Sequence, residues 1–514
     1  MSGPTDQARE RKRIVISGAG PAGLLTASLL LNKNKEAGCT VTYDVTLIDG
    51  RQDYGSIPQK ELLENHRSWM LGLADHGMDA IKTLPDLYEN YVKDEGILIR
   101  EFALYLGSKK ISQSVDSPSS SSSSSKLSSD LPEAFIVDRN FVVAAMARYV
   151  RETHDQDDNY TSMYKTTCQY VDYENKRVLV RKESKVECYI PYDLLIGCDG
   201  VRSTVREALV KRHSNFSCDS TDIFQDFKQT HVALPEGVSC SALSVLPDVF
   251  PYCQGIALPE TGGLVNIGIG TPRNNFDKLP DELKSDDYKV VSEYVKKNLK
   301  AFKLVDPDDF AKQWVGQRWN QTGMIHCNFY HSTQLGIVIM GDAAHSTSPS
   351  VGMGMNTALR DAQIFSEILK ETNDDFSAAL PAFSKTRVKE GNALSDLALH
   401  LYCMDTTQQM KATLHQVIRN FFYTRFPSFV DEHPFTMIGR RGVPLSDAYE
   451  QAVKQGIMRK HRAINDRIRM EYFEQETGMI KAPTQKSYTM SKILLGGASL
   501  IAVTAFVYQK VAMK

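Results

Sequence analysis

The sequence predicts an α/β fold. A parallel sheet wrapped by helices is joined to a second domain on an antiparallel sheet, then to a helical C-terminal region and a terminal transmembrane helix. Three observations predict it. First, the apolar run Ile14-Val15-Ile16 meets the turn Gly18-Ala19-Gly20-Pro21-Ala22-Gly23, which opens a second apolar run from Leu24 to Leu31. That order is strand, glycine turn, helix, as in Rossmann-like dinucleotide sites. Gly18 permits a sharp turn, Gly20 lets a phosphate reach the backbone, and Gly23 lets helix and strand touch; Ala22 completes the cradle. The helix dipole and free amides at its start favour an anion there. Second, two more buried strands end in related turns, Gly197-Cys198-Asp199-Gly200-Val201-Arg202-Ser203 and Gly341-Asp342-Ala343-Ala344-His345. Third, from Asp222 to Trp319 short alternating apolar runs replace this pattern, which reads as antiparallel strands.

The 514 residues exceed one compact core, so two or three subdomains are expected. A net charge of -2 gives no basis for nucleic-acid binding. The nine cysteines include no C-x-x-C pair and no zinc spacing, so no metal is expected and the thiols read as reduced. Residues 1–12 form a polar tail without a secretory signal. Near the other end, Ile493 to Tyr508 is uncharged and bracketed by Lys492 and Lys510. It is slightly shorter than the roughly 20 residues that span a bilayer comfortably. Residues 490–510 are therefore expected to be a tail anchor facing the protein to the cytosol. The mitochondrial outer membrane is the first choice of location and the endoplasmic reticulum the alternative.

Between these ends, residues 13–212 form the dinucleotide domain, 213–330 the antiparallel-sheet domain that meets the substrate, 331–375 a return to the first domain, and 376–489 a helical region. The second strand, Tyr43 to Ile48, ends in Asp49-Gly50-Arg51, where an acid accepts ribose hydroxyls. The patterns further predict a helix over Met78–Val92, a strand over Ile97–Leu106, strands over Thr166–Tyr173 and Arg177–Lys182, and a helix over Thr204–Val210. Strands follow over Val238–Leu246, Gly263–Gly270 and Leu335–Met340, with helices over Tyr288–Leu299 and Met355–Lys370. The serine-rich stretch 112–130 reads as a disordered loop.

The ordered triplet of turns resembles the single-component FAD monooxygenases that hydroxylate aromatic rings, and within them the kynurenine 3-monooxygenase branch. Further stretches carry the likeness: Arg67-Ser68 with Asp75-His76-Gly77, Asp138-Arg139-Asn140, Gly341 to Asn356, Leu380 to Arg387, and Ala393 to Leu397. The resemblance implies a glutathione-reductase-like FAD-binding domain, NADPH as a visiting co-substrate, and O2 delivered to a small aromatic or apolar substrate through a flavin C4a-hydroperoxide. The flavin supplies this chemistry, so no catalytic side chain is assigned. The expected cofactor contacts are Gly18, Gly20, Ala22, Gly23, Asp49, Arg51, Asp199, Gly341 and Asp342, with Gly352 and Gly354 opening a helix toward the flavin's pyrimidine end. Arg67, Arg139, Met355 and Asn356 join them by resemblance. His345 reads as structural.

The substrate end departs from that branch, which grips an amino-acid carboxylate with an arginine in an M-R-x-R strand. Here the strand reads Ile99-Arg100-Glu101-Phe102, with Phe102 at the arginine's place. A contacting Asn in a Y-N-Y triplet is matched by Leu401 in His400-Leu401-Tyr402, and a contacting Tyr before T-M by Phe435. A phenyl ring does not replace a bidentate arginine. Arg100, Phe102, Leu401, Tyr402 and Phe435 are thus the pocket candidates. Two other readings share these features: a sibling monooxygenase or epoxidase for a more apolar substrate, and a membrane-tethered flavoprotein redox sensor without substrate.

Overall fold

The structure is a computed structural model and describes residues 9–476 except 67, 115–134, 303–304, 402 and 405. The first strand, Glu10–Ser17, lies in a six-stranded sheet of order 331–332, 337–339, 194–197, 10–17, 41–48, 160–163. All neighbours run parallel except the antiparallel edge pair His331–Ser332 with Ile337–Ile339. Helix Pro21–Asn34 packs against this sheet and against the long helix Gly354–Glu371. Ile14, Ile16, Leu195, Ile196, Val338 and Leu359 are sealed in the core between them. Strands buried on both faces read as continuous apolar runs, as here.

The antiparallel domain is a seven-stranded sheet of order 320–327, 218–233, 264–272, 253–260, 242–250, 101–106, 109–114. One face packs Val232, Leu246, Ile267 and Ile269 under helices Tyr288–Asn298 and Pro307–Val315, with Trp314 fully buried. The other face turns toward the small sheet formed by Met70–Leu73, Phe135–Asp138 and Gly96–Leu98. Helices Phe376–His400, Thr406–Arg425, Leu445–Lys454 and Ile457–Glu476 complete the chain.

Several expectations need correction. The helix over Met78–Val92 is instead Asp75–Lys82 followed by two short turns, because Pro85 has no amide to continue a helix. The strand over Ile97–Leu106 is two strands: Gly96–Leu98 pairs with Phe135–Val137, and Glu101–Leu106 crosses into the large sheet beside Ala242–Val245. The large sheet therefore takes strands from within 13–212 as well as from 213–330. Residues 112–114 are the end of strand Lys109–Ser114 and not part of a loop; the rest of the serine-rich stretch lies outside the described residues. The strand near Val238–Leu246 spans Ala242–Phe250, and that near Leu335–Met340 shrinks to Ile337–Ile339. Among the described residues no helix is long and apolar enough to cross a membrane, and the 490–510 anchor lies outside them.

Candidate functional site

The three glycine turns converge because their strands are neighbours in the parallel sheet and all end at its carboxyl edge. The Gly18 amide bonds Ile48 O at 2.7 Å, and the Cys198 amide bonds Ser17 O at 2.8 Å. A methyl group added at Gly18 (φ 107°) would stand 2.2 Å from Cys198 O, and one at Gly341 (φ 57°) 3.5 Å from Ala22 Cβ. The first and second turns, and the third turn and the first helix, are thus in contact. At Gly23 the added methyl would be 1.9 Å from Gly18 O, so only glycine closes this turn. At Gly20 it would meet nothing within 4 Å. The helix that starts there has no side-chain cap, which leaves its first amides open to an anion.

Arg206, which the sequence reading overlooked, staples the second turn to the third. Its guanidinium donates to Val201 O at 2.6 Å and to Ala343 O at 2.8 Å. Asp199 caps helix Thr204–Arg212 by accepting from the Thr204 amide at 2.8 Å, while its other carboxylate oxygen is buried without a partner. Burial pushes this carboxyl above its ordinary pKa. Asp342 accepts no hydrogen bond among the described residues. It is exposed to the cleft, yet the surrounding protein raises its pKa against the pull of His345 and Arg139. Two acceptors without donors beside an open helix start suit a polyhydroxylated dinucleotide.

Other predicted contacts are already occupied. The Asp49 carboxylate accepts from the Ala19 amide at 2.7 Å, the Arg51 amide at 2.7 Å, and the Arg51 Nε and terminal nitrogen at 3.0 Å each. Burial opposes ionisation, but the Arg51 hydrogen bonds and charge prevail and hold the carboxyl below its ordinary pKa. These four donors fill its lone pairs, so a ribose hydroxyl reaches Asp49 only by displacing Arg51. Asn356 is fully buried. Its oxygen accepts the Ala74 amide at 2.8 Å, and its nitrogen donates to Gly72 O and Gly352 O at 2.8 and 3.1 Å. Its side chain locks the start of helix Gly354–Glu371 to the loop before Asp75. Gly77 makes room for it, since a methyl there would stand 2.3 Å from Asn356 Oδ1. Gly352 is left-handed (φ 66°), and the helix beginning at Gly354 and Met355 has no side-chain cap. Arg139 is exposed and donates to Ser68 Oγ at 3.1 Å. Arg67 and Tyr402 lie outside the described residues.

The pocket candidates fall into two groups. Leu401 and Phe435 share an apolar cluster with Leu397, Ala448 and Ile457. Phe102 belongs to another, with Leu243 and Leu258 of the large sheet, Ile136 of the small sheet, and Ile99. Arg100 is exposed, with its amide on Ser241 O at 3.0 Å. The sheet face that carries Phe102 turns polar further along: Leu258 lies opposite Asn266, and Asn266 opposite His231. His231 Nδ1 lies 3.1 Å from both oxygens of buried Glu260, and Asn266 donates to Gln229 Oε1 at 3.3 Å. Across from them sits Asp138, whose carboxyl is pushed up to about 6 by burial and by Glu260, against the amides of Ser68 and Asn140. Strand Cys218–Ala233 carries polar residues on both faces, so Gln229 and His231 gave no distinct signal of this patch in the sequence.

Comparison with known proteins agrees with the geometry. A family described as an FAD binding domain matches residues 164–380. The chain is 32% identical over 222 residues to a kynurenine 3-monooxygenase of Sus scrofa, covering 42% of this chain and 45% of that protein. It is 23% identical over 471 residues to that of Caenorhabditis briggsae, covering 86% and 92%. The fold is that of a 2-methyl-3-hydroxypyridine-5-carboxylic acid oxygenase, with a TM-score of 0.55 at 15% identity over 76% of this chain and 90% of the other.

Proposed function

We propose, from the premise that this chain is an FAD-dependent monooxygenase similar to the kynurenine 3-monooxygenases, that it uses NADPH to hydroxylate an aromatic substrate bearing a polar group. The observation that carries the reading is the meeting of three glycine turns at the carboxyl edge of the parallel sheet, beside a helix start without a side-chain cap. FAD, when bound, supplies the activation of O2. The chain's own residues bind, orient and shield. Gly20 and the helix after it hold the pyrophosphate, and Asp342 and Asp199 accept hydroxyls. The uncapped amides of Gly354 and Met355 stabilise negative charge at the ring by about 1 kcal/mol. Asn356 keeps that helix start from moving. The wall residues Phe102, Leu243 and Leu258 exclude water and cover the apolar part of a substrate, and the patch of Gln229, His231 and Asn266 meets its polar part.

Kynurenine, the substrate in the relatives' name, is the first compound to test. A more apolar aromatic compound is the second reading, favoured by Phe102, Leu401 and Phe435 in apolar clusters. The purified FAD-loaded protein is mixed with NADPH and each compound, and NADPH loss and product mass are followed. Faster NADPH oxidation with a product heavier by one oxygen identifies the substrate. Slow oxidation that no compound accelerates rejects hydroxylation and leaves a flavoprotein without substrate.

The same reading places the protein on a membrane through residues 490–510. Supporting it, helix Thr406–Arg425 and the turn after it expose Leu414, Ile418, Phe422 and Phe426, each four residues from the last, and Phe429, which is 89% exposed. Four-residue spacing puts such side chains on one face of a helix, as in segments that lie in a bilayer interface.

A further inference from the structure

We propose that Cys218 and Cys327 are a peroxide-reactive thiol pair that closes reversibly into a cross-strand disulfide. All nine cysteines are free thiols. Strand Cys218–Ala233 pairs antiparallel with Asn320–Cys327, and the register puts Cys218 directly opposite Cys327. The next pair outward, Ser217 and Asn328, is joined by the Asn328 amide donating to Ser217 O at 3.2 Å. Hydrogen-bonded and non-hydrogen-bonded pairs alternate along an antiparallel ladder, so the two cysteines occupy a non-hydrogen-bonded pair, where α-carbons approach to about 4.5 Å and side chains lie closest. That separation falls within the range a disulfide accepts without backbone movement. Each thiol is thus the other's nearest cross-strand neighbour.

The surroundings divide the roles. Cys218 is partly exposed and Cys327 buried. The groups facing Cys218 are Cys327, Arg206 and His326, which favour its thiolate, and Asp219, which opposes it. With the Cys327 hydrogen bond as the largest influence, the Cys218 thiol is brought down to about 6 despite burial. The same hydrogen bond and burial push Cys327 up. Cys218 is therefore the attacking sulfur and Cys327 the resolving one. The oxidant is hydrogen peroxide, which flavin monooxygenases release when oxygen is reduced without a substrate to receive it. The Cys218 thiolate attacks one peroxide oxygen, the O–O bond breaks, and hydroxide leaves and takes a proton to become water. The Cys327 sulfur then attacks the Cys218 sulfenic sulfur, the S–S bond forms, and the sulfenic oxygen departs as a second water. Two thiols are oxidised and one peroxide is reduced.

The test uses the full-length FAD-loaded protein treated with stoichiometric hydrogen peroxide, quenched with N-ethylmaleimide and digested for mass spectrometry. The expected result is a Cys218–Cys327 linked peptide, a loss of two titratable thiols per chain, and recovery with dithiothreitol. In C327S, dimedone should label Cys218 instead. If a serine variant folds poorly, the wild-type protein decides alone: at pH 6.5 iodoacetamide should modify Cys218 at least tenfold faster than the exposed Cys188 and Cys240. Peroxide that oxidises Cys188 and Cys240 first, with Cys218 and Cys327 recovered as separate alkylated peptides, overturns the proposal.

Discussion

His345 Nε2 and Asp361 Oδ2 lie 2.6 Å apart, both fully buried beneath the turn that carries Asp342. The same carboxylate receives the Gly341 amide at 2.9 Å and Arg387 Nε at 2.6 Å. One acid thus ties the third turn, its short helix and helix Phe376–His400 together, which gives His345 the structural role expected of it. Burial alone would raise the Asp361 pKa; His345, Arg387 and the Gly341 amide overcome it and hold the carboxyl at about 2. Asp361→Asn leaves buried Arg387 without its counter-charge, at a cost of about 3–5 kcal/mol. Urea unfolding at pH 7 should show a midpoint lowered accordingly.

The pH dependence of that loss has a definite sign. A carboxyl with a depressed folded pKa contributes stability above its unfolded value, about 3.9, and loses it as pH falls toward 2. Asp138 behaves oppositely. Its folded pKa of about 6 lies above the unfolded value, so its contribution is present below about pH 4 and is lost as pH rises through 6. Unfolding free energies measured from pH 3 to 7 should show Asp138→Asn flattening the curve between 4 and 6. An unchanged slope there would mean that Asp138 is solvated like a surface acid.

Two glycines in one turn should fail differently. Gly23→Ala drives a methyl into Gly18 O at 1.9 Å, so both thermal stability and FAD content should fall. Gly20→Ala meets no atom within 4 Å and should leave the circular dichroism and melting of the flavin-free protein unchanged. It should weaken FAD binding at least tenfold, read by flavin fluorescence titration, because the methyl occupies the space of the approaching phosphate. Equal FAD affinity in Gly20→Ala and wild type would move the pyrophosphate away from this turn.

The exposed stripe on helix Thr406–Arg425 gives a sedimentation experiment. Full-length protein should pellet with vesicles containing anionic lipid, and the combined change Phe422→Ser, Phe426→Ser, Phe429→Ser should reduce the bound fraction severalfold. These side chains are 45%, 51% and 89% exposed, so the substitutions should cost little stability. Binding that is untouched by the triple change would leave the stripe without a membrane role.

The sequence by itself determined the strand–turn–helix at Gly18 to Gly23, the two later turns and the alternating sheet between them. Each is a local pattern of glycine spacing or apolar period, readable within a dozen residues. Only the tertiary structure decided which of the named residues are available to a ligand. Asp49 is covered by Arg51, two residues away, while Asn356 is spent on Ala74 and Gly72, nearly three hundred residues distant in the chain. Phe102 and Phe435, aligned with a single pocket, lie in separate clusters: Phe102 on a strand of the large sheet that the chain enters after Ile99–Arg100, Phe435 against the C-terminal helices. The opposition of Cys218 to Cys327 likewise depends on strand register. Hydrogen-bond partners and sheet register are set by chain segments far apart in sequence, and no local pattern encodes them.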